Sequence, residues 1–286
     1  MTKQKRPSRA YTVNCVSVYA GDKSMSCLTV QRNEDGDASR SQIQRAENYP
    51  ADKPTPIFDI DETIWTMWMS GSETYHAAAS RTFITGREGA FRESELPLET
   101  ITAIWGYSDN EVYVIGDAGQ VRRFDGRDWT DMSIEGGGYL YAISGVQGRA
   151  LYVCGDRGQL YRHDGKAWRR LDVGTDVDLY GVCATELEEV LVCGRSGFAA
   201  QWSSETLTRL TGDPSRDYYD VVRFRNEVYF AAGDKGTDKL DGRTIASFKD
   251  KALASKLSAT DRYLCACGGN QIARFDGTGW LASRFD

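Results

Sequence analysis

Short apolar runs separated by turn residues recur along most of the chain. Clear examples occupy residues 112–115, 151–154, 190–193 and 228–232, and they contain mainly Val, Leu, Ile, Tyr, Phe and Cys. Each run has four or five residues and is followed directly by glycine. Short runs rich in β-branched and aromatic residues and bounded by turn residues are typical of buried strands. The pattern therefore predicts an all-β chain.

The strands belong to a sequence repeat with a constant interval. A Gly-x-x-Gly segment follows each of these runs, and its first glycine falls at Gly116, Gly155, Gly194 and Gly233, each 39 residues after the last. Glycine accepts the positive φ that a tight hairpin between two strands requires. A fixed interval of this length indicates a repeat architecture, in which each unit packs only against its neighbours.

A second motif, Asp-Gly-x-x-Trp, recurs in the same repeat as the glycines. It ends in Trp129, Trp168 and Trp280. The Asp-Gly pair predicts a second hairpin turn, and the tryptophan then begins the last strand of the unit. We expect each tryptophan to lie, largely buried, between neighbouring units, where its area would contribute to their packing.

These landmarks predict a β-propeller of four-stranded antiparallel blades. One blade cannot bury both faces of its sheet, and a closed ring removes the exposed edges. Six blades are predicted at about 57–95, 98–134, 138–173, 178–211, 217–249 and 255–286. Residues 11–33 contain two more strand-like runs, which predict a seventh, divergent blade or, alternatively, a closing strand added to a six-bladed ring. Residues 31–56 are polar and predict a long loop, and residues 1–10 predict a flexible basic tail ahead of a single propeller domain at 11–286.

The segment from Ile104 to Trp129 resembles a bacterial propeller repeat of the YVTN/BNR/WD40-like superfamily. The shared features are its Trp-Gly pair, the Gly-x-x-Gly turn and the Asp-Gly-x-x-Trp ending. The resemblance extends over about residues 57–286 and implies the propeller architecture. It implies little about function, because propellers include hydrolases, lyases, lectins and scaffolds.

Composition narrows the classes of partner. The formal net charge is −6, whereas nucleic acids and anionic membranes are bound by basic surfaces. We therefore expect neither of these partners. The basic N-terminus lacks the apolar segment of a secretory signal, and no apolar stretch is long enough to span a membrane. The seven cysteines lie mostly inside predicted strands without metal-binding spacing. They are expected to be buried, reduced thiols in a cytoplasmic protein.

Three candidate chemistries do not fit the sequence. Asp59 and Asp61 lie in an Asp-x-Asp-x-Thr segment that is similar to the first motif of haloacid-dehalogenase-type phosphatases, but that chemistry needs a parallel α/β sheet. The Asp-Gly-x-x-Trp turns resemble sialidase Asp-boxes without the leading serine. His76 and His163 replace strand residues of the repeat, and neither has a second histidine with which to hold a metal. No catalytic residue, metal site or cofactor is predicted.

The remaining candidate site is a surface. In a propeller, the loops between blades and the turns between the second and third strands lie on the same face, which we call the top face. The predicted top-face residues have an acidic excess, which favours a basic protein partner and speeds its capture. They are Asp59, Asp61, Glu62, Glu99, Asp117, Glu135, Asp156, Arg157, Asp176, Asp178, Arg195, Asp217, Asp234 and Lys235.

These features predict a non-catalytic, protein-binding propeller. An inhibitor or immunity protein that occludes a bacterial toxin or effector domain is one form that this function could take. Two alternatives remain open at this stage. One is an enzyme that acts on a small molecule or glycan in the axial funnel, and the other is an assembly scaffold or a lectin.

Overall fold

A computed structural model describes residues 11–285, apart from residues 22, 34–38, 147, 149, 187 and 188. The predicted basic tail at residues 1–10 lies outside the described residues. The chain forms seven antiparallel sheets of four strands each, arranged in a ring. This confirms the all-β propeller and decides between six and seven blades, because residues 11–60 form a complete blade of their own.

Each blade is continuous in sequence, and its strands are hydrogen-bonded in chain order. The blades are β1–β4 (Tyr11–Ala20, Met25–Asn33, Ser39–Ala46, Thr55–Ile60); β5–β8 (Ile64–Met69, Tyr75–Ala79, Thr82–Gly86, Arg92–Glu95); β9–β12 (Ala103–Ser108, Glu111–Ile115, Val121–Phe124, Trp129–Asp131); β13–β16 (Leu140–Val146, Ala150–Gly155, Leu160–His163, Trp168–Arg170); β17–β20 (Leu179–Glu186, Glu189–Gly194, Ala199–Ser203, Thr206–Arg209); β21–β24 (Asp220–Phe224, Glu227–Ala231, Thr237–Asp241, Thr244–Lys249); and β25–β28 (Lys256–Ala259, Leu264–Gly268, Gln271–Phe275, Trp280–Arg284).

The polar segment 31–56 is not a long loop, contrary to the prediction. It contains the end of β2, the whole of β3 and the beginning of β4. Four of the eight residues of β3 are buried, and two of these, Ile43 and Gln44, are adjacent at the point where the pairing with β4 shifts. Apart from Ile43 and Ala46 the strand consists of Ser, Gln and Arg, so its sequence does not show the period of two that marks a strand.

The core lies between blades. The second strand of each blade is almost completely buried, and the largest fully buried side chains include Tyr75, Tyr152 and Tyr229, each on such a strand. Trp129 begins β12 and packs edge-on against Phe83 of the preceding blade, with ring centroids 5.1 Å apart. The repeated tryptophans are only half-buried, because each begins an outermost strand. The main packing between blades therefore comes from the second strands.

The first strands of neighbouring blades contact one another around the axis. Blade 7 meets blade 1 without exchanging a strand, since β25–β28 and β1–β4 are separate sheets. The Cys15 N–H donates to the Gly269 carbonyl at 2.6 Å, and Ser258 Oγ donates to the Val18 carbonyl at 2.6 Å. The ring is thus closed by side-to-side contacts alone.

Candidate functional site

The top face is formed by two sets of connections at the same end of every blade. One set links the last strand of a blade to the first strand of the next, and the other links the second strand to the third. The predicted residues that lie in these connections are Asp61, Glu62, Glu99, Asp117, Glu135, Asp156, Arg157, Asp176, Asp178, Arg195, Asp217, Asp234 and Lys235. The structure therefore brings these residues to one end of the ring.

Asp59 is the exception and corrects the prediction. It lies in β4, the outermost strand of blade 1, where it is paired with Gln42. Its carboxylate forms an ion pair with Arg40 at 2.5 Å. The prediction failed because segment 57–60 was assigned to the connection before blade 2, whereas it completes the unpredicted blade 1. Asp59 thus lies in the edge strand of an antiparallel sheet and Asp61 follows directly after it, which is not the setting of a phosphatase motif.

Two aspartates of the top face join neighbouring blades. Asp178 Oδ1 accepts a hydrogen bond from the Arg157 backbone N–H at 3.2 Å, and Asp217 Oδ1 accepts one from the Ser196 N–H at 2.8 Å. In each pair the donor is a residue at positive φ in the turn of the preceding blade. The carboxylates therefore have a structural role, and the same bonds fix their position on the surface.

An aromatic row, which the sequence analysis missed, crosses the top face beside these aspartates. It consists of Tyr139, Tyr141, Tyr180 and Tyr219, and we call it the tyrosine row. Successive ring centroids are 5.0, 5.3 and 5.7 Å apart. The two end members are 39% and 41% exposed, respectively. Exposed aromatic rings in contiguous contact mark a binding surface.

Local backbone geometry places two of these rings outside the sheet. The pairing of β13 with β14 shifts between Leu140 and Ala142, and that of β17 with β18 shifts between Leu179 and Gly181. Tyr141 and Tyr180 are the residues passed over. Such a bulge leaves one residue unpaired and redirects its side chain. The bulges thus turn residues at the start of an inner strand towards the top face.

The repeat contains a signal for this row. Tyr141, Tyr180 and Tyr219 are separated by 39 residues and precede the equivalent positions Ala142, Gly181 and Asp220. Trp65 occupies the corresponding place in blade 2, also at a register shift, and is 46% exposed. Tyr219 is exposed like Trp65, whereas Tyr141 and Tyr180 are half-buried.

The surroundings of the row are negative. Partial burial and then the carboxylate of Asp178 raise the pKa of Tyr141, and the same two causes, with Asp217, raise the pKa of Tyr180. Burial, Asp217 and Asp234 raise the pKa of Tyr219. These three phenols are therefore neutral hydrogen-bonding groups at pH 7, and the negative charge of this surface comes from the aspartates.

The axial channel is a second candidate site. It has a volume of about 1650 Å³ and is lined by the first strands of all seven blades and by loops at the end opposite the top face. Most of its inner-strand side chains are apolar or small. Asp220 accepts hydrogen bonds from the backbone N–H groups of Val221 and Leu257 at 3.0 Å, and it lies 3.7 Å from the Lys256 ammonium. The contacts with Leu257 and Lys256 link blades 6 and 7.

The two histidines have structural partners. His76 is buried on β6, its Nδ1 lies 3.2 Å from Thr85 Oγ1, and its Nε2 lies 3.5 Å from an Asp109 oxygen. Burial lowers the pKa of His76 despite the nearby carboxylate. The hydroxyls of Ser72 and Thr74 donate to Asp109 at 2.7 and 3.0 Å, which connects blades 2 and 3. His163, on β15, accepts a bond from the Gly165 N–H at 3.1 Å.

In the described part of the chain, no group of three or more His, Cys, Asp or Glu side chains has the geometry to hold a metal ion. Within residues 11–285, excluding the gaps given above, no helix has the length and hydropathy of a membrane span.

Comparisons with known proteins establish the fold. The chain matches no family model and no curated protein. A catalytically inactive virginiamycin B lyase from Staphylococcus aureus with quinupristin is 10% identical, with a TM-score of 0.69 and coverage of 95% of this chain and 94% of that chain. The WD40 propeller domain of Doa1 is 6% identical, with a TM-score of 0.75 and 93% coverage of both chains. YCF48 bound to D1 peptide is 14% identical, with a TM-score of 0.59 and coverage of 78% and 82%, respectively.

These identities support the propeller fold and nothing finer. The neighbours have varied roles, since one is a lyase and another binds a peptide. What this chain does must therefore be argued from its own surface.

Proposed function

We propose that this chain is a non-catalytic, protein-binding propeller that docks a partner on its top face. The observation that carries the proposal is the tyrosine row, which exposes contiguous aromatic area at the end of the ring where the loop aspartates gather. Tyrosine is enriched at protein interfaces because it combines a large apolar surface with a polar hydroxyl. A peptide bound to the structural neighbour YCF48 is consistent with this use of the fold.

The charge of the top face favours a basic partner. Asp178 and Asp217 are fixed by bonds to neighbouring turns, so they would lose little freedom on binding. Arg157 lies 3.4 Å from an Asp156 carboxylate oxygen, and the Lys235 ammonium donates to the Ser215 carbonyl at 2.7 Å. The proposed form of the function is the one expected from the sequence: an inhibitor that occludes a basic toxin or effector domain.

Affinity purification from the cells that carry the gene tests the proposal. The tagged wild-type chain is compared with the double variant Tyr180→Ala/Tyr219→Ala and with Leu281→Ala as a matched control. Leu281 is 44% exposed on β28, the outermost strand of blade 7, away from the tyrosine row. We expect a defined protein to be retained by the wild type and the control and lost by the double variant. Equal recovery by all three chains would remove the top face from consideration.

The inhibitor form has its own measurement. The recovered partner should arrest growth when it is produced alone, and co-production of the wild-type chain should restore growth. The double variant should fail to do so. A partner that is harmless when produced alone would leave protein binding in place and eliminate the role as a toxin inhibitor.

A further inference from the structure

The rings of the tyrosine row are arranged as a surface on which planar groups can stack. Tyr180 and Tyr219 are nearly parallel, with an interplanar angle of 13°, whereas Tyr141 meets Tyr180 edge-on at 81°. The face of an aromatic ring carries partial negative charge and attracts cations. The row can therefore attract a cation to its ring faces in addition to making apolar contacts, and its phenols add hydrogen-bonding groups.

Oriented carboxylates stand beside the rings. Asp178 and Asp217 each use Oδ1 to accept the backbone N–H of a neighbouring turn. Among the described residues, no hydrogen bond or ion pair reaches Oδ2 of either side chain. Asp178 and Asp217 precede Tyr180 and Tyr219, respectively, by two residues in the sequence. The surface thus combines aromatic faces with fixed anionic acceptors.

We propose that the tyrosine row binds an extended, arginine-containing segment of the partner protein, with guanidinium groups stacked on the rings and paired with Asp178 and Asp217. This inference rests on the proposed function and specifies the chemistry that the top face recognises. Arginine fits better than lysine because its guanidinium is planar, stacks on aromatic faces and pairs with a carboxylate through two parallel hydrogen bonds. Ammonium groups are compact and strongly hydrated, and use the ring faces less well.

The spacing of the rings suits an extended segment. Alternate side chains of a strand point to the same side and are about 6.8 Å apart. Neighbouring rings from Tyr141 to Tyr219 are separated by 5.3 and 5.7 Å, so long arginine side chains at alternate positions can reach successive rings. A segment lying in this way would cross blades 4, 5 and 6.

Binding of short synthetic peptides tests the inference directly. The full chain is titrated into fluorescently labelled peptides that carry arginine, lysine or glutamate at alternate positions between glycines, and binding is followed by anisotropy at low and physiological salt. We expect the arginine peptide to bind about tenfold more tightly than the lysine peptide and the glutamate peptide not to bind. Equal affinity for arginine and lysine peptides would overturn the stacking argument.

Variants separate the two parts of the site. Tyr180→Ala should weaken binding of the arginine peptide about tenfold, while Tyr180→Phe keeps the ring and should change it less than about threefold. Asp178→Asn retains an oxygen acceptor for the Arg157 N–H but loses the charge, so it should weaken binding and flatten its salt dependence. Tyr219→Ala, at a 41% exposed position, provides a second ring variant. Unchanged binding by both ring variants would overturn the inference.

The peptide experiment and the purification experiment can contradict the arginine inference and the proposed function separately. If no peptide binds, but the double variant still loses its cellular partner, the surface binds protein of another chemistry and only the arginine inference falls. If an oligosaccharide panel binds the wild type and Tyr180→Ala abolishes that binding, the row is a lectin site and both proposals fall. Peptide binding that is insensitive to the double variant would place the arginine site elsewhere on the chain.

Discussion

Neighbouring blades pack through different contacts at two places in the ring: the junction between blades 3 and 4, and the seam between blades 7 and 1. The 3–4 junction contains repeated aromatic and aliphatic residues, with Trp168 Nε1 donating to the Met132 carbonyl at 2.6 Å. The seam contains buried cysteines and a buried arginine, and its hydrogen bonds join residues more than 220 positions apart. A repeated junction can form from adjacent sequence, whereas the seam must join the two ends of the ring.

Arg274 illustrates the directional contacts that are made at the seam. It is 7% exposed, and its Nη2 donates to the Tyr49 carbonyl at 2.7 Å. Its guanidinium lies 5.0 Å from the Tyr49 ring centroid and 4.2 Å from that of Tyr263. Backbone and ring contacts of this kind fix both the distance and the orientation of blade 1 against blade 7. Directional contacts therefore stabilise the seam, whereas repeated apolar packing stabilises the other junctions.

The largest effect is expected from removing this arginine. Arg274→Ala leaves the buried Tyr49 carbonyl without its donor and removes two cation–π contacts, a combined loss of about 3–4 kcal/mol in the free energy of unfolding. Urea unfolding followed by tryptophan fluorescence measures it. Arg284→Ala, an exposed position in the same blade, is the control and should change stability by less than about 0.5 kcal/mol. Similar losses for the two variants would show that the seam does not depend on Arg274.

A smaller loss is expected at the repeated junction. Trp168→Ala removes packing against blade 3 and the bond to the Met132 carbonyl. The cost should be about 2–3 kcal/mol, below the range for fully buried aromatic residues, because the ring is half-buried. Trp65→Ala, at a 46% exposed position, is the matched control and should cost less than about 1 kcal/mol. If Trp168→Ala destabilised the chain more than Arg274→Ala, the contrast between junction and seam would be reversed.

Sequence reasoning captured the parts of the fold in which packing repeats. The constant interval predicted the second strands, the turns and the ring, because equivalent positions in successive blades meet equivalent neighbours. The repeated glycines show the limit of that reasoning. Positive φ in the turns falls on Ala118, Arg157 and Ser196 and on the glycine that follows each of them. Three of the first glycines repeat for another reason: a side chain at Gly116 would clash with the Thr100 carbonyl oxygen, and the backbone approaches Gly155 and Gly194 in the same way. Gly233 is the exception, because it has a positive φ itself.

The unpredicted parts are those without a repeated environment. Blade 1 packs against blade 7, and its strands β3 and β4 follow none of the repeat landmarks. The tyrosine row was missed for the opposite reason. Tyr141, Tyr180 and Tyr219 repeat, but at bulges, where the alternation of strand residues gives no indication of which side chain leaves the sheet. Of the predicted site, the loop acids could be located from topology, whereas their bonds to neighbouring turns depend on side-chain geometry.

The smallest expected effect is a difference, within one molecule, between the rates at which buried cysteines react at the seam and at the junctions around blade 5. The seam contains Cys15 and Cys265, and the junctions around blade 5 contain Cys154 and Cys193. All four are buried, free thiols, and burial raises the pKa of each, so alkylation requires local opening. Joining residues 234 positions apart, instead of one repeat apart, costs about 1.5 kcal/mol more loop-closure entropy.

The seam should therefore open more readily than the junctions around blade 5. In pulsed iodoacetamide labelling at low denaturant, analysed by mass spectrometry, Cys15 and Cys265 should react about tenfold faster than Cys154 and Cys193. Labelling in full denaturant, where all four thiols are exposed, corrects for their intrinsic reactivity. Arg274→Ala should accelerate labelling of the seam pair alone, because it weakens the contact that holds blade 7 against blade 1. Equal rates for the two pairs in the wild type would mean that the ring opens as a single cooperative unit, with the seam no weaker than any other junction.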